Sequence, residues 1–199
     1  MTIKARKAGR RAPAGSGRAA RSAGRMAAVQ ALYQMDLAGT DVTDVIHEFT
    51  TLRFSADAET PAEEGAEPAE TTAAGADAAF FAELVRGVVR RQRDIDPMID
   101  QQLALNWRLK RVDSTLRAIL RAGTFELIER QDVPARVVIN EYIDVAHAFF
   151  DEDEPKVVNG VLDRLAKRLR VSEFEGKQQR APEPEAEVPD GEPDPSSGA

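Results

Sequence analysis

Apolar residues recur at intervals of three and four along most of the chain, which is the spacing of helices that bury one face. In the first quarter of the chain this spacing predicts a helix over residues 19–38, and Gly39 is expected to end it. A second helix is predicted to start at Thr40 or Asp41, whose side-chain oxygens suit a helix N-cap, and to run to Leu52.

A third helix is predicted to begin at Asp77, where an aspartate precedes a run of phenylalanine, leucine and valine at helical spacing. Pro97 is expected to interrupt this helix, because proline removes a backbone hydrogen bond and clashes with the preceding turn. The apolar residues that follow then predict a short fourth helix over residues 98–105.

The second half of the chain repeats the helical spacing more regularly. Helices are predicted from Asp113 and Ser114, from Pro134, and from the acids before Pro155. No segment alternates with a period of two, so a β-sheet is not expected. The predicted fold class is all-α, with about seven helices in two small bundles, residues 19–106 and 107–171, because short loops join antiparallel neighbours.

Charge is distributed very unevenly, although the formal net charge is only −7. Residues 1–25 carry eight lysines and arginines and no acid, residues 55–77 carry seven acids and no base, and residues 172–199 carry eight acids and two bases. Segments of this composition bury too little apolar area to offset the entropy of ordering. We therefore expect a basic disordered arm at 1–18, an acidic flexible insertion at 55–76 and an acidic disordered tail at 172–199.

Several classes of function lack any supporting signal. The chain has no cysteine, which excludes disulfides and thiolate sites, and no apolar run approaches the length of a membrane span. Glu141, Asp144 and His147 could share a patch for a metal or for acid–base chemistry, but exposed polar residues opposite a buried stripe are the simpler interpretation. We expect a cytoplasmic protein that is not an enzyme and uses no cofactor or metal.

The basic arm favours nucleic-acid binding. Arg18, Arg21 and Arg25 would lie along one stripe of the first helix, and Tyr33 follows Arg25 by about 12 Å along the axis. Cations for phosphates beside an aromatic ring for an unstacked base are a common way to hold single-stranded RNA. The alternatives are a solvated tail with a packed tyrosine, or a membrane-surface role that the lack of an apolar face disfavours.

Two features of the last predicted helix call for an explanation. Gly160 lies inside the helix, where glycine costs about 1 kcal/mol, so we expect another helix to approach it closely and Asn159 to hydrogen-bond across that contact. The acids at 151–154 either only start the helix or also form a patch for a basic partner.

Four segments, read in order, resemble the NusB family of bacterial antitermination factors, and the residues before the first of them resemble its alphaproteobacterial members. They are RMAAVQALYQ at 25–34, LRAILR at 116–121 with FEL at 125–127, VP at 133–134 with VINE at 138–141, and VVNGVLD at 157–163. Each segment alone is weakly specific, whereas the ordered set is specific. The resemblance covers about residues 18–170, except for the acidic insertion.

The resemblance implies two three-helix bundles and a role as an RNA-binding transcription antitermination factor. It implies binding to the boxA element of single-stranded RNA together with the ribosomal protein NusE, within the RNA polymerase antitermination complex on ribosomal RNA operons. The family's RNA contacts map onto Arg18, Arg21, Arg25 and Tyr33. Its NusE contacts map onto Asp153, Glu154 and Val157.

The chain departs from the family pattern at two of these surfaces. Many relatives have phenylalanine where Val157 stands, and many carry an acid at the position of Leu116, where this chain has its acid three residues earlier, at Asp113. Two alternatives stay open at this point: a related RNA-binding module like the one that precedes ribosomal RNA cytosine methyltransferases, and a purely structural helical adaptor.

Overall fold

The computed structural model describes residues 14–54, 75–104 and 107–175. Within these residues it contains seven α-helices and no strand, which confirms the all-α prediction. The helices are α1 (Ala14–Ala38), α2 (Val42–Glu48), α3 (Ala78–Asp100), α4 (Ser114–Glu129), α5 (Ala135–His147), α6 (Glu154–Leu169) and α7 (Val171–Glu175). Most of the basic arm, most of the insertion and residues 176–199 of the tail lie outside the described residues.

The predicted starts of several helices are confirmed by the caps that form there. The carboxylate of Asp41 accepts a hydrogen bond from the amide of Thr43, and Asp77 and Asp113 cap α3 and α4 in the same way. Gly39 follows the end of α1 with a φ of 66°, a left-handed conformation in which glycine has no steric penalty. The N-cap and C-cap residue types were therefore reliable boundary signals.

The predicted break at Pro97 is wrong. α3 continues through Pro97 to Asp100, and a single 3₁₀ turn, Leu109–Arg111, stands between α3 and α4. Ile95 and Ile99 lie four residues apart on either side of the proline and are both fully buried, so the core holds this turn in helical form. This burial offsets the hydrogen bond lost at Pro97, and residues 98–100 complete α3 instead of starting a separate helix.

The helix α4 is the centre of the fold, packed against α1, α3, α5 and α6. Every residue from Ala118 to Leu127 is buried. The buried apolar residues of both predicted bundles form one hydrophobic core around this helix. The division into two bundles between residues 106 and 107 stays a prediction. Within the shared core, the N-terminal helix α1 packs directly against α4.

The close helix contacts occur at glycines other than Gly160. A Cβ atom at Gly87 would lie 2.0 Å from Cζ of Phe125, and one at Gly123 would lie 2.8 Å from Cδ1 of Leu162. At Gly160 a Cβ would meet only the guanidinium of Arg164, at 3.6 Å, and Asn159 is exposed. The predicted close approach at Gly160 and hydrogen bond of a buried Asn159 are therefore wrong, because this part of α6 faces solvent.

Both predicted terminal segments contribute residues to helices. α1 begins at Ala14, inside the predicted arm at 1–18, and α7 occupies the first residues of the predicted tail at 172–199. α7 is held to the fold by Arg170, a buried residue whose guanidinium donates to four backbone carbonyls, those of Glu126, Leu127, Arg130 and Val133. Two of these carbonyls also accept backbone amides, Glu126 from Arg130 and Arg130 from Val133, so the guanidinium ties the end of α4 to the turn that follows it.

Candidate nucleic-acid interface

The first turns of α1 carry two exposed arginines that share a surface cavity. The side chain of Arg18 is 80% exposed and Arg21 is also exposed. Together with Gly17 and Arg25 of α1 and with Val133, Val137, Asn140 and Glu141 they line a cavity of about 450 Å³ between α1 and α5. We call this space the arginine cavity.

Arg25 lies at the inner side of the arginine cavity and is buried. Its guanidinium donates to both carboxylate oxygens of Glu126 and, at 3.1 Å, to Oε2 of Glu141. Burial lowers the pKa of Arg25, but the hydrogen bond and charge of Glu126 outweigh it and raise the pKa above its ordinary value. Arg25 therefore stays charged inside the fold, and it fixes α1 against α4 and α5. Arg18 and Arg21, in contrast, lie at the surface.

Glu141 links the buried and exposed arginines. It accepts a hydrogen bond of 2.5 Å from the hydroxyl of Ser22, and its Oε1 lies 3.5 Å from Nε of Arg18. The expectation that Glu141 is an exposed polar residue is wrong, since it is 6% exposed, whereas Asp144 and His147 face solvent. Across residues 14–54, 75–104 and 107–175, no three acids or histidines are grouped as metal ligands would be.

Tyr142 completes this buried network beneath α1. Its hydroxyl donates to Oε2 of Glu126 at 3.1 Å, the oxygen that also receives Nε of Arg25. Burial and the charge of Glu126 raise the pKa of Tyr142 well above its ordinary value, so the hydroxyl stays protonated and remains a donor. Two carboxylates, one guanidinium and one phenol therefore satisfy one another, which is the condition for burying such groups.

Tyr33 lies farther along α1 in a second cavity. Its ring is 38% exposed and, with Gln30, Gln34 and Leu37 of the same helix, lines a space of about 490 Å³. Arg53 and Phe149 also line this space, and sequence reasoning missed both. Phe149 follows the end of α5 and is 37% exposed.

The residues predicted to contact a protein partner cluster at the start of α6. Asp153 is exposed and accepts a hydrogen bond of 2.7 Å from Lys156, which lowers the pKa of the Asp153 carboxyl. Glu154 and Val157 are half-buried. The cluster lies beside Trp107, which is 49% exposed and lines one cavity with Glu154 and another with Asp153 and Val157.

Sequence reasoning missed Trp107 as part of this surface. Trp107 is the single tryptophan of the chain, and it stands outside every predicted helix. A large aromatic residue outside the helices that form the core was the signal that could have identified it. Large aromatic side chains that are half exposed beside a charged rim are typical of protein interfaces.

In the described ranges no helix is both long and apolar enough to cross a membrane.

Comparison with known proteins agrees with this architecture. Residues 22–167 match the model of the NusB family. The transcription antitermination protein NusB of Allorhizobium ampelinum is 56% identical over 151 residues, which cover 76% of this chain and 88% of that protein. The protein of the same description from Rhodopseudomonas palustris is 50% identical over 154 residues, covering 77% and 83%.

Solved structures show the same fold. T. maritima NusB superposes with a TM-score of 0.60 and 27% identity, over 78% of this chain and 96% of that chain. A structure of antitermination factors NusB and NusE in complex with dsRNA matches in fold with a TM-score of 0.54 and 24% identity, over 74% and 96%. With a family match across most of the described residues and relatives above half identity, the chain belongs to the NusB family of transcription antitermination proteins.

Proposed function

We propose that this chain is a cytoplasmic antitermination factor that binds boxA-type single-stranded RNA through α1 and binds NusE through the start of α6. In this role it joins the RNA polymerase antitermination complex and promotes transcription of ribosomal RNA operons. Membership of the NusB family supports the role, and the exposed groups on the two surfaces support the assignment of partners to them.

The observation that carries the RNA assignment is the pair of exposed guanidinium groups in the arginine cavity. Arg18 and Arg21 stand on the first described turns of α1, directly after a segment with five more basic residues at 1–13. Guanidinium groups bind phosphate oxygens with two parallel hydrogen bonds, so this end of α1 suits a nucleic-acid backbone. Arg25 contributes by holding α1 in place through Glu126 and Glu141.

Tyr33 supplies the second element of a single-strand site. It lies 15 residues after Arg18 on the same helix, which is about 22 Å along the axis. Its partly exposed ring offers a face for one unstacked base, and Arg53 and Phe149 line the same cavity. A strand that meets Arg18 and Arg21 with its phosphates would then extend along α1 towards Tyr33.

The NusE assignment rests on charge and on exposed apolar surface at the start of α6. Asp153 and Glu154 present carboxylates there, and Val157 and Trp107 present apolar area beside them. Ribosomal proteins are commonly basic, and opposite charges orient and speed docking. The smaller Val157, where many relatives have phenylalanine, leaves Trp107 as the larger apolar contact on this surface.

Fluorescence anisotropy with labelled boxA RNA, measured with and without NusE, tests the proposal. We expect RNA binding by the chain alone that weakens when Arg18 and Arg21 are changed to alanine, and tighter binding when NusE is present. Arg90→Ala, at an exposed position of α3, is a control for the loss of a surface arginine and is expected to have little effect. Absence of RNA affinity at physiological salt would overturn the proposal in favour of a helical adaptor.

A further inference from the structure

The C-terminus of the described fold lies next to the arginine cavity. α7 ends at Glu175, and two residues earlier the carboxylate of Glu173 accepts a hydrogen bond of 2.7 Å from the amide of Ala135. Ala135 is two residues from Val133 and two from Val137, and both valines line the arginine cavity. The segment that follows α7 therefore starts near the side of the arginine cavity that Val133 and Val137 form.

This following segment, residues 176–199, has the charge opposite to that of α1 and its preceding arm. It contains two bases, Lys177 and Arg180, and then six acids and no further base. The acids are Glu183, Glu185, Glu187, Asp190, Glu192 and Asp194. The first of them is eight residues beyond Glu175, a span of at most about 26–29 Å, so all six can be within reach of a cavity beside α7.

The arginine cavity retains positive charge that its own carboxylate does not neutralise. Glu141 is the acid among the residues that line it, and this carboxylate already accepts hydrogen bonds from Ser22 and Arg25. Its contact with Arg18 is long, at 3.5 Å between Oε1 and Nε, and the Arg18 side chain is 80% exposed. Arg18 and Arg21 therefore present donors to whatever anionic group enters from solvent.

From this placement and charge we infer that the acidic tail at 176–199 binds the arginine cavity of the same chain and competes there with RNA. The carboxylates of the tail occupy the positions at Arg18 and Arg21 that phosphates would occupy. The competition rests on the proposed function, whereas the contact between tail and cavity does not. RNA that offers only a few phosphates is then displaced more readily than RNA that also engages Tyr33.

Tethering makes a weak contact sufficient for this competition. The connection of eight residues from Glu175 to Glu183 gives the tail an effective concentration in the millimolar range at the cavity, so a millimolar intrinsic affinity would keep it partly bound. If the tail occupies the cavity for 75–90% of the time, the apparent RNA affinity falls by about four- to tenfold. The effect should fade as salt is raised, because exposed charges are screened over about 8 Å at physiological ionic strength.

A measurement without RNA tests the contact itself in the full chain. The chain has no cysteine, so Val188→Cys provides a single site for a spin label in the middle of the acidic run. At low salt we expect paramagnetic broadening of the amide signals of Arg21 and Val137, and none at the indole of Trp107, which lines other cavities. Arg18→Ala with Arg21→Ala should remove the broadening. If the amide signals of Arg21 and Val137 are not broadened at low salt in the labelled protein that keeps Arg18 and Arg21, the inference is overturned.

A second measurement tests the competition, again in the full chain. Changing the six tail acids to glutamine or asparagine should raise boxA affinity about four- to tenfold at low salt, and less at high salt. The matched control neutralises six acids of the insertion, Asp57, Glu59, Glu63, Glu64, Glu67 and Glu70, which changes net charge equally. An equal gain in both variants would show a general charge effect and overturn the inference.

The two experiments separate the inference from the proposed function. Broadening at Arg21 in a protein that binds no RNA would support the tail contact and contradict the RNA proposal. RNA binding that depends on Arg18 and Arg21 but is unchanged by the tail substitutions would support the RNA proposal and overturn the competition.

Discussion

The guanidinium of Arg25 binds the carboxylate of Glu126 in a bidentate pair, with Nε to Oε2 at 2.9 Å and Nη2 to Oε1 at 2.5 Å. The two side chains are 4% and 0% exposed and stand 101 positions apart in the chain. The pair joins α1 to the central helix α4. The orientation of α1, and with it the position of Arg18 and Arg21, therefore depends on a contact inside the core.

We expect Arg25→Ala to destabilise the fold by about 3–5 kcal/mol, because it leaves the buried carboxylate of Glu126 without its cation. Urea denaturation followed by circular dichroism measures the change. Adding Glu126→Gln to the same variant should restore part of the stability, since the unpaired charge is then removed. A loss below 1 kcal/mol in the single variant would show that the pair contributes little.

Arg18→Ala combined with Arg21→Ala should change RNA binding without changing stability. For single strands, log K falls with log salt by about 0.7 per phosphate neutralised, so two lost contacts should lower the slope by about 1.4. Anisotropy titrations over a series of salt concentrations give this slope, and the free energy of unfolding should stay within about 0.5 kcal/mol. A slope that equals that of the Arg90→Ala control would exclude phosphate contacts at these two residues.

Tyr33→Ala is expected to weaken boxA binding by about 1–3 kcal/mol, the contribution of one base stacked on an aromatic ring. Tyr33→Phe keeps the ring face and should retain most of the affinity. Leu37→Ala is the control, because Leu37 is 63% exposed and lines the same cavity without a ring. Equal losses in the alanine variants at 33 and 37 would indicate general apolar contact instead of stacking.

Gly87→Ala and Gly17→Ala should change stability in opposite directions. A Cβ at Gly87 would overlap three ring atoms of the fully buried Phe125, the nearest at 2.0 Å, so we expect a loss of about 1–3 kcal/mol or more. At Gly17, in the first turn of α1, nothing lies within 4 Å of the added atom, and alanine should gain about 0.5–1 kcal/mol. Thermal denaturation of both variants tests this, and a stable Gly87→Ala protein would contradict the packing.

Local features of the structure followed from the sequence because local residues determine them. Asp41, Asp77 and Asp113 cap their helices with their own carboxylates, a bond that depends on residues two or three positions away. Pro97 shows the limit of local reasoning. Its cost is real, but the burial of Ile95 and Ile99 against distant helices decides that α3 continues.

The buried network beneath α1 could not be predicted from local pattern, because its members on α1, Ser22 and Arg25, lie more than 100 positions from their partners along the chain. Glu141 receives Arg25 and Ser22 from 116 and 119 positions away. One signal was available: Glu126 stands three residues after Gly123 on the apolar stripe of α4, and an acid at such a position requires a buried cation. The packing of the helices decides which of the many arginines supplies this cation.

The partner surface offers a test in which RNA binding and NusE binding separate. Asp153→Lys with Glu154→Lys reverses the charge of both acids at the start of α6, and the lysine at 153 would face Lys156, which now donates to Asp153 at 2.7 Å. We expect weaker NusE binding, because the basic partner meets like charge at this surface. Intrinsic boxA affinity should be unchanged or slightly higher, because the arginine cavity and Tyr33 lie on other elements.

We expect the binding of NusE and the binding of RNA to be linked, so the double variant should also lose the increase in RNA affinity that NusE is expected to produce in the unsubstituted chain. The measurement is a pair of RNA titrations, one without NusE and one at a fixed NusE concentration that saturates the unsubstituted chain. Asp44→Lys with Asp94→Lys, two exposed acids on α2 and α3, makes the same change in net charge and should keep the NusE effect. If the variant at 153 and 154 keeps it as well, NusE binds at another surface, and Trp107 and Val157 are not part of its site.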